Sequence, residues 1–232
     1  MEKYIGVTAQ LYEDLIDSGK HILIAGMTGS GKSVIMNGMI NAIILRDAAK
    51  HKTVLCDVKM VEFGPYDNTK HCIVCATTIE AVERTLTGVI QTIKTRLAYM
   101  KDHNLKMYDG STIHLFVDEL ADIILTSKSA TKSLQRICQL GRAARIQVIC
   151  ATQCPLASVI PTRIKVNFPI VVGLHTQTAQ HSRNIIEENG CEDLPEYGKA
   201  LIKYPTIGVK EEIIPMIPQE ELDRIIAHDR KG

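Results

Sequence analysis

Gly26-Met27-Thr28-Gly29-Ser30-Gly31-Lys32-Ser33 has the spacing G-x-x-x-x-G-K-[ST], and the chemistry that this pattern serves is anion binding. Glycines let backbone N–H groups converge at the start of a helix, where the helix dipole favours negative charge. The stretch Gly26 to Val34 is therefore the expected cradle for a nucleoside triphosphate. Lys32 is placed to reach the β- and γ-phosphates, and the Ser33 hydroxyl to ligate Mg²⁺. A second constellation is Ile113-His114-Leu115-Phe116-Val117-Asp118-Glu119, a hydrophobic run that ends in two acids. Asp118 is expected to hold Mg²⁺ together with Ser33, directly or through water. Glu119 is expected to polarise the water that attacks the γ-phosphate. An acid placed for water points to hydrolysis rather than to phosphoryl transfer onto a bound acceptor. The chain has no N-K-x-D stretch of the kind that reads guanine, so ATP is the expected nucleotide.

Two further polar points follow. Gln153 ends the run Ile149-Cys150-Ala151-Thr152-Gln153, where an amide could sense the γ-phosphate, orient water, or simply cap the strand. Arg142 lies in Gln139-Leu140-Gly141-Arg142-Ala143-Ala144-Arg145. It is either a solvated surface side chain or, in a ring, a finger reaching a neighbour's nucleotide.

These residues need strands that end beside one another. His21-Ile22-Leu23-Ile24-Ala25 leads into the glycine-rich turn, and Val34 to Ile40 leads out as a helix. Lys52 to Asp57 reads as a buried strand ending in a carboxylate, and His71 to Ala76 as a short strand. From Thr77 the period changes: Ile79, Val82, Leu86, Val89, Ile93, Leu97 and Met100 recur at helical steps. Strands are expected at 112–117, 146–151, 169–174, 200–204 and 209–215, and helices at 132–144, 182–188 and 219–228. Alternating strands and helices predict an α/β fold, a mostly parallel central sheet flanked by helices. The chain reads as a single domain, 1–232, with a lead-in over 1–20, a core over 21–217 and a helical tail over 218–232.

The 232 residues are 45% apolar, enough for one substantial core. A net charge of +1 argues against a globally basic, nucleic-acid-coating protein. Seven cysteines without a signal-peptide pattern suggest reduced thiols in a cytosol-like compartment, and Cys72-Ile73-Val74-Cys75 reads as structural thiols rather than a metal site. No run approaches the ~20 apolar residues of a membrane span, so a cytoplasmic location is expected.

Together the motifs resemble the motor domain of the FtsK/SpoIIIE family of DNA translocases. The resemblance rests on the phosphate loop, Asp57-Val58-Lys59-Met60-Val61-Glu62, Val117-Asp118-Glu119-Leu120-Ala121-Asp122, Gly141-Arg142-Ala143-Ala144, Ala151-Thr152-Gln153, Ile164-Lys165-Val166-Asn167-Phe168-Pro169 and Ser182-Arg183. It runs from about residue 21 to residue 201. It implies a RecA-like P-loop NTPase fold, ATP hydrolysis at subunit interfaces, and a homo-hexameric ring around double-stranded DNA. Arg142 falls where the family places its trans-acting arginine. Lys165 and Arg183 fall where it presents cations to DNA phosphates, and Arg163 is close enough to join them. Such contacts would be sequence-independent and salt-sensitive.

The chain also departs from the family pattern. Cys154 and Ala179 stand where arginine and lysine are usual, Lys199 follows Gly198 where aspartate is frequent, and Val58 replaces a proline. The nucleotide chemistry is intact while part of the DNA-gripping surface is altered. Without a membrane span, linker or winged-helix module, the chain reads as a bare motor, such as a phage or mobile-element version, or one served by a separately encoded recruiting protein. The alternatives are an ATPase of the same superfamily that drives protein transport or assembly, and a slow nucleotide-dependent switch.

Overall fold

Strands that are apolar on both faces belong in the middle of a parallel sheet covered by helices. The computed structural model describes residues 10–153, 160 and 162–230. In chain order the elements are α1 (Gln10–Asp17), β1 (Ile22–Ala25), α2 (Lys32–Ile44), β2 (His51–Cys56), β3 (Cys72–Ala76), α3 (Ile79–Asp102), β4 (Thr112–Val117), α4 (Leu120–Thr126), α5 (Lys128–Leu140), β5 (Ile146–Thr152), α6 (Thr162–Lys165), β6 (Ile170–Gly173), α7 (Ala179–Ile186), β7 (Lys199–Tyr204), β8 (Gly208–Ile213) and α8 (Gln219–Asp229). The strands form one sheet in the order β3-β2-β4-β5-β1-β6-β7-β8. Neighbours from β3 to β6 run parallel, and β7 and β8 close the edge antiparallel. The α/β architecture with a mostly parallel sheet is as the sequence predicts.

Alternation along β1 separates two cores. Leu23 and Ala25 join α3, α4, α5 and α7 on one face, while Ile22 and Ile24 join α1, α2 and α8 on the other. The stripe on α3 buries Val82, Leu86, Val89, Ile93 and Met100, and Thr78 caps that helix by accepting from the Ala81 N–H. On the opposite face α1 lies so close to α2 that a Cβ at Gly38 would stand 2.3 Å from the Tyr12 ring. The tail helix α8 returns to the β3 edge, where Asp229 accepts from the His71 ring at 2.7 Å.

Helix placement differs from expectation, and the helix expected over 182–188 spans Ala179–Ile186. The helix placed over 132–144 spans Lys128–Leu140. It starts early because the Ser127 hydroxyl accepts from the Ala130 N–H, and it stops early because residues 141–145 turn sharply into β5. In that turn Arg145 has a φ of 50°. Buried Arg96 of α3 secures it, donating to the carbonyls of Ala144 at 2.7 Å and Arg145 at 3.3 Å. The helices α1, α4 and α6 are not among those expected from the sequence. Cys72 and Cys75 lie on β3, where burial pushes the Cys75 thiol up to about 12. No described helix is long and apolar enough to cross a membrane.

At the N-terminal ends of the central strands sits a buried polar network. Gln147 donates to the carbonyls of Leu15 and Lys20, which turns its oxygen towards His114 Nδ1 at 2.9 Å. His114 therefore carries its proton on Nδ1 and offers Nε2 to His51, 3.1 Å away. His21 has the opposite tautomer, since Nδ1 accepts from the Val148 N–H and Nε2 donates to the Cys138 carbonyl, both at 2.9 Å. Burial lowers the pKa of His21 to about 4 and that of His114 to about 3.

Candidate nucleotide-binding and hydrolysis site

Every strand from β1 to β6 points its C-terminal end the same way, and the polar residues gather at that end. The loop from β1 to α2 carries Gly29 and Gly31 with φ of 80° and 101°, conformations that a side chain would strain. At Gly26 the restriction is space: a Cβ would lie 2.7 Å from both Leu174 Cβ and Ser30 Oγ. The N-cap of α2 is Gly31, which brings no side chain to the first turn. The leading N–H groups of a 13-residue helix thus face the loop's concavity without a side-chain acceptor. That is a cradle for phosphate oxygens, and it fits a nucleoside triphosphate.

Lys32 lies over this cradle, its ammonium donating to the Gly26 carbonyl at 2.9 Å and the Met27 carbonyl at 2.5 Å. Burial lowers its pKa, against the pull of Glu119 and Asp118. These two carbonyl bonds hold the ammonium at the loop and are exchangeable for phosphate oxygens.

β5 lies between β1 and β4, so its end touches both neighbours. Gln153 accepts from the Thr28 hydroxyl at 2.8 Å, tying β5 to the phosphate loop. Its backbone N–H lies 3.3 and 3.2 Å from the two carboxylate oxygens of Glu119. Glu119 is buried, and it also caps α4 by accepting from the Ala121 N–H. Asp118 follows β4 directly, its N–H donating to the Cys56 carbonyl of β2. Its carboxyl is raised to about 6, first by burial and then by Asp57, Glu62 and Glu119.

The end of a fourth strand, β2, joins these, and its residues carry no role in the sequence reading. Asp57, almost wholly buried, accepts from the N–H groups of Val61 at 3.3 Å, Glu62 at 2.8 Å and Phe63 at 2.9 Å. The loop folded over it holds Met60 at a φ of 56°. It delivers Lys59 to within 3.8 Å of Glu119 and 3.3 Å of Asp122. It also delivers Glu62, which accepts from the Ser33 hydroxyl at 2.6 Å. A carboxylate at the end of β2 was visible in the sequence. Its importance depends on β2 lying beside β4, which only the sheet order reveals.

Ser33 and Asp118 suit a small hard cation that keeps waters and takes phosphate oxygens as well. Among the described residues no group of three or more His, Cys, Asp or Glu is set to hold a metal.

Arg142 stands apart. It is exposed in the turn before β5, at the far end of that strand from Gln153. Seven residues of strand separate the two ends by about 20 Å. It lines a cavity of about 280 Å³ with Asp17, His51, His114, Arg145 and Gln147. Within one chain it does not reach the phosphate loop. Arg163 is exposed on α6, whereas Lys165 is half-buried and donates to the Asn184 carbonyl, with its pKa lowered by burial. Arg183 on α7 donates to Asn189 at 2.6 Å and Gln180 at 3.0 Å. Ala179 opens α7 and Lys199 opens β7. Cys154 lies outside the described residues.

The sequence profile of the FtsK/SpoIIIE family matches residues 1–114. The chain is 32% identical to the DNA translocase FtsK of Leptospira interrogans serogroup Icterohaemorrhagiae serovar copenhageni, covering 91% of this chain and 24% of that protein. It is 33% identical to the DNA translocase FtsK of Oceanobacillus iheyensis, over 90% of this chain and 30% of the relative. For that of Helicobacter pylori the values are 31%, 89% and 26%. The chain thus spans about a quarter to a third of the curated relatives it matches. Among solved structures, the conjugation coupling protein TcpA of pCW3 with ATPγS superposes with a TM-score of 0.80 at 23% identity, covering 91% of this chain and 66% of that one. The cytoplasmic domain of the Thermomonospora curvata type VII secretion ATPase EccC gives 0.79 at 18%, covering 91% and 28%. At those identities the likeness shows a shared P-loop ATPase fold. The phosphate loop and the acids of β4 meet at one end of that fold, and the relatives are about a third identical to it over the aligned nine-tenths of its length: the chain belongs to the FtsK/SpoIIIE family.

Proposed function

We propose that this chain is an ATP-hydrolysing motor that moves along double-stranded DNA as a hexameric ring. The observation that carries the hydrolytic part is the gathering of Lys32, Ser33, Asp118, Glu119 and Gln153 at the C-terminal ends of the central strands β1, β4 and β5. DNA as the cargo is supported by relatives named DNA translocases at 31–33% identity.

In this reading Lys32 leaves the carbonyls of Gly26 and Met27 for the β- and γ-phosphates of ATP, while the loop N–H groups hold the remaining oxygens. Ser33 and Asp118 would hold Mg²⁺, which would supply neutralisation of the phosphate charge. Glu119 accepts the proton of the water that attacks the γ-phosphorus, as the bond to ADP breaks. Gln153, joined to both Thr28 and Glu119, relates the loop's state to the base. Arg142 of a neighbouring subunit supplies the remaining positive charge. Arg163, Lys165 and Arg183 contact DNA phosphates, Lys165 after leaving Asn184.

The test is ATPase activity with duplex DNA, with single-stranded DNA and without nucleic acid, together with particle size in a non-hydrolysable ATP analogue. The proposal expects stimulation by duplex that falls steeply with salt, and a six-subunit particle. Hydrolysis indifferent to duplex at low salt refutes the translocase reading. Stimulation by a co-purifying protein with DNA inert would establish protein transport in its place, and slow hydrolysis that nothing stimulates would point to a switch.

A further inference from the structure

The Ser33 hydroxyl has one proton, and it is given to Glu62 Oε1 at 2.6 Å. A serine that ligates a cation does so through an oxygen lone pair and keeps its proton, which then needs an acceptor on the far side of the oxygen. Glu62 already provides one. It is not a loose surface acid, because its own N–H is held by buried Asp57 at 2.8 Å, and Asp57 also grips Val61 and Phe63. Phe63, the next residue, is wholly buried against Phe116 of β4. The carboxylate thus comes from a loop fixed at three points, and the loop belongs to neither the phosphate loop nor β4.

We propose that Glu62 is a positioning residue for the divalent cation: by taking the Ser33 proton it turns the Ser33 lone pairs towards the ion, and so sets affinity for magnesium rather than for the nucleotide. This rests on the reading of the site as an ATP site with Mg²⁺ at Ser33 and Asp118. An amide in place of the Glu62 carboxylate could still accept the proton through its oxygen, but without charge. A glutamine therefore weakens the arrangement, and an alanine abolishes it.

The experiment is equilibrium binding of a fluorescent ATP analogue to the full chain, in EDTA and across a magnesium titration, for wild type, Glu62→Gln, Glu62→Ala, Ser33→Ala and the Glu62→Ala/Ser33→Ala pair. Removing a negative charge beside the phosphates leaves metal-free affinity equal or tighter. The magnesium concentration at half-effect should rise about ten-fold or more in Glu62→Ala, as for the loss of a ligand's own hydrogen-bond partner. Glu62→Gln should lie between, and the double variant should be no worse than Ser33→Ala, because both changes act on one oxygen. A Glu62→Ala protein with the wild-type magnesium response overturns the inference, and so does one with tighter magnesium binding, which would make Glu62 a blocker. Fully additive losses in the double variant overturn it as well. If wild type itself binds no ATP, or is indifferent to magnesium, it is the underlying site reading that fails.

Discussion

Acidification should unfold this protein through two histidines that are far from the nucleotide site. His21 and His114 are each satisfied as neutral rings of fixed tautomer. A second proton on His21 would face the Val148 N–H, and one on His114 would face the donating nitrogen of His51. Their folded pKa values, about 4 and about 3, lie below the unfolded 6.5. Between those limits the unfolded chain binds more protons, so stability is complete above pH 6.5 and is lost as the pH falls. From pH 7 to pH 5 the linkage amounts to about 2 kcal/mol for each ring, about 4 kcal/mol together. Asp118 opposes this: its folded value of about 6 exceeds the unfolded 3.8, so it contributes about 1 kcal/mol of stability over the same fall. A net loss of about 2–3 kcal/mol remains, a large part of an ordinary domain's stability. Urea unfolding of the nucleotide-free chain in EDTA at pH 7, 6 and 5 measures it, and Asp118→Asn should steepen the dependence by removing the opposing group. A urea midpoint constant or rising from pH 7 to pH 5 would refute the assignment of two neutral buried rings.

Three further outcomes are expected. Arg142→Ala and Glu119→Gln should each lose hydrolysis by a hundred-fold or so while still binding ATP, and mixing the two proteins should restore activity; two inactive proteins that stay inactive when mixed would place Arg142 outside a neighbour's site. Lys59→Met removes the ammonium 3.8 Å from Glu119, so kcat should fall by roughly three- to ten-fold with the nucleotide Kd unchanged, and a change confined to Kd would contradict the role. Gly38→Ala drives a methyl to 2.3 Å from the Tyr12 ring and should cost about 1–3 kcal/mol in chemical unfolding as α1 lifts from α2; an unshifted midpoint would mean that α1 yields without loss.

Much of this was legible from residue order because the relevant physics is local. A glycine-rich turn between an apolar tetrapeptide and a helix needs little beyond its own neighbours, so β1, α2 and the cradle could be read directly. The period of Val82 to Met100 announced α3 for the same reason. What stayed hidden depends on strand adjacency. Asp57, Lys59 and Glu62 acquire meaning only because β2 lies against β4. Arg96 was hidden differently, as a charged residue within an apolar stripe, and its value lies in the carbonyls of a turn 48 residues onward. The early end of α5 followed from that same turn.

If Arg142 serves a neighbour's site, as proposed above, its distance from the phosphate loop bears on how copies of this chain can associate. A surface carrying the arginine and a surface carrying the cradle sit at opposite ends of one strand, so neither is complementary to itself. Pairing about a two-fold axis could complete two sites only by seating each copy's arginine surface on the other's cradle, which ends the assembly at two. A head-to-tail contact completes one site per interface, and it either closes on itself or continues as an open helix. The angle between successive copies, rather than any residue of the site, decides which.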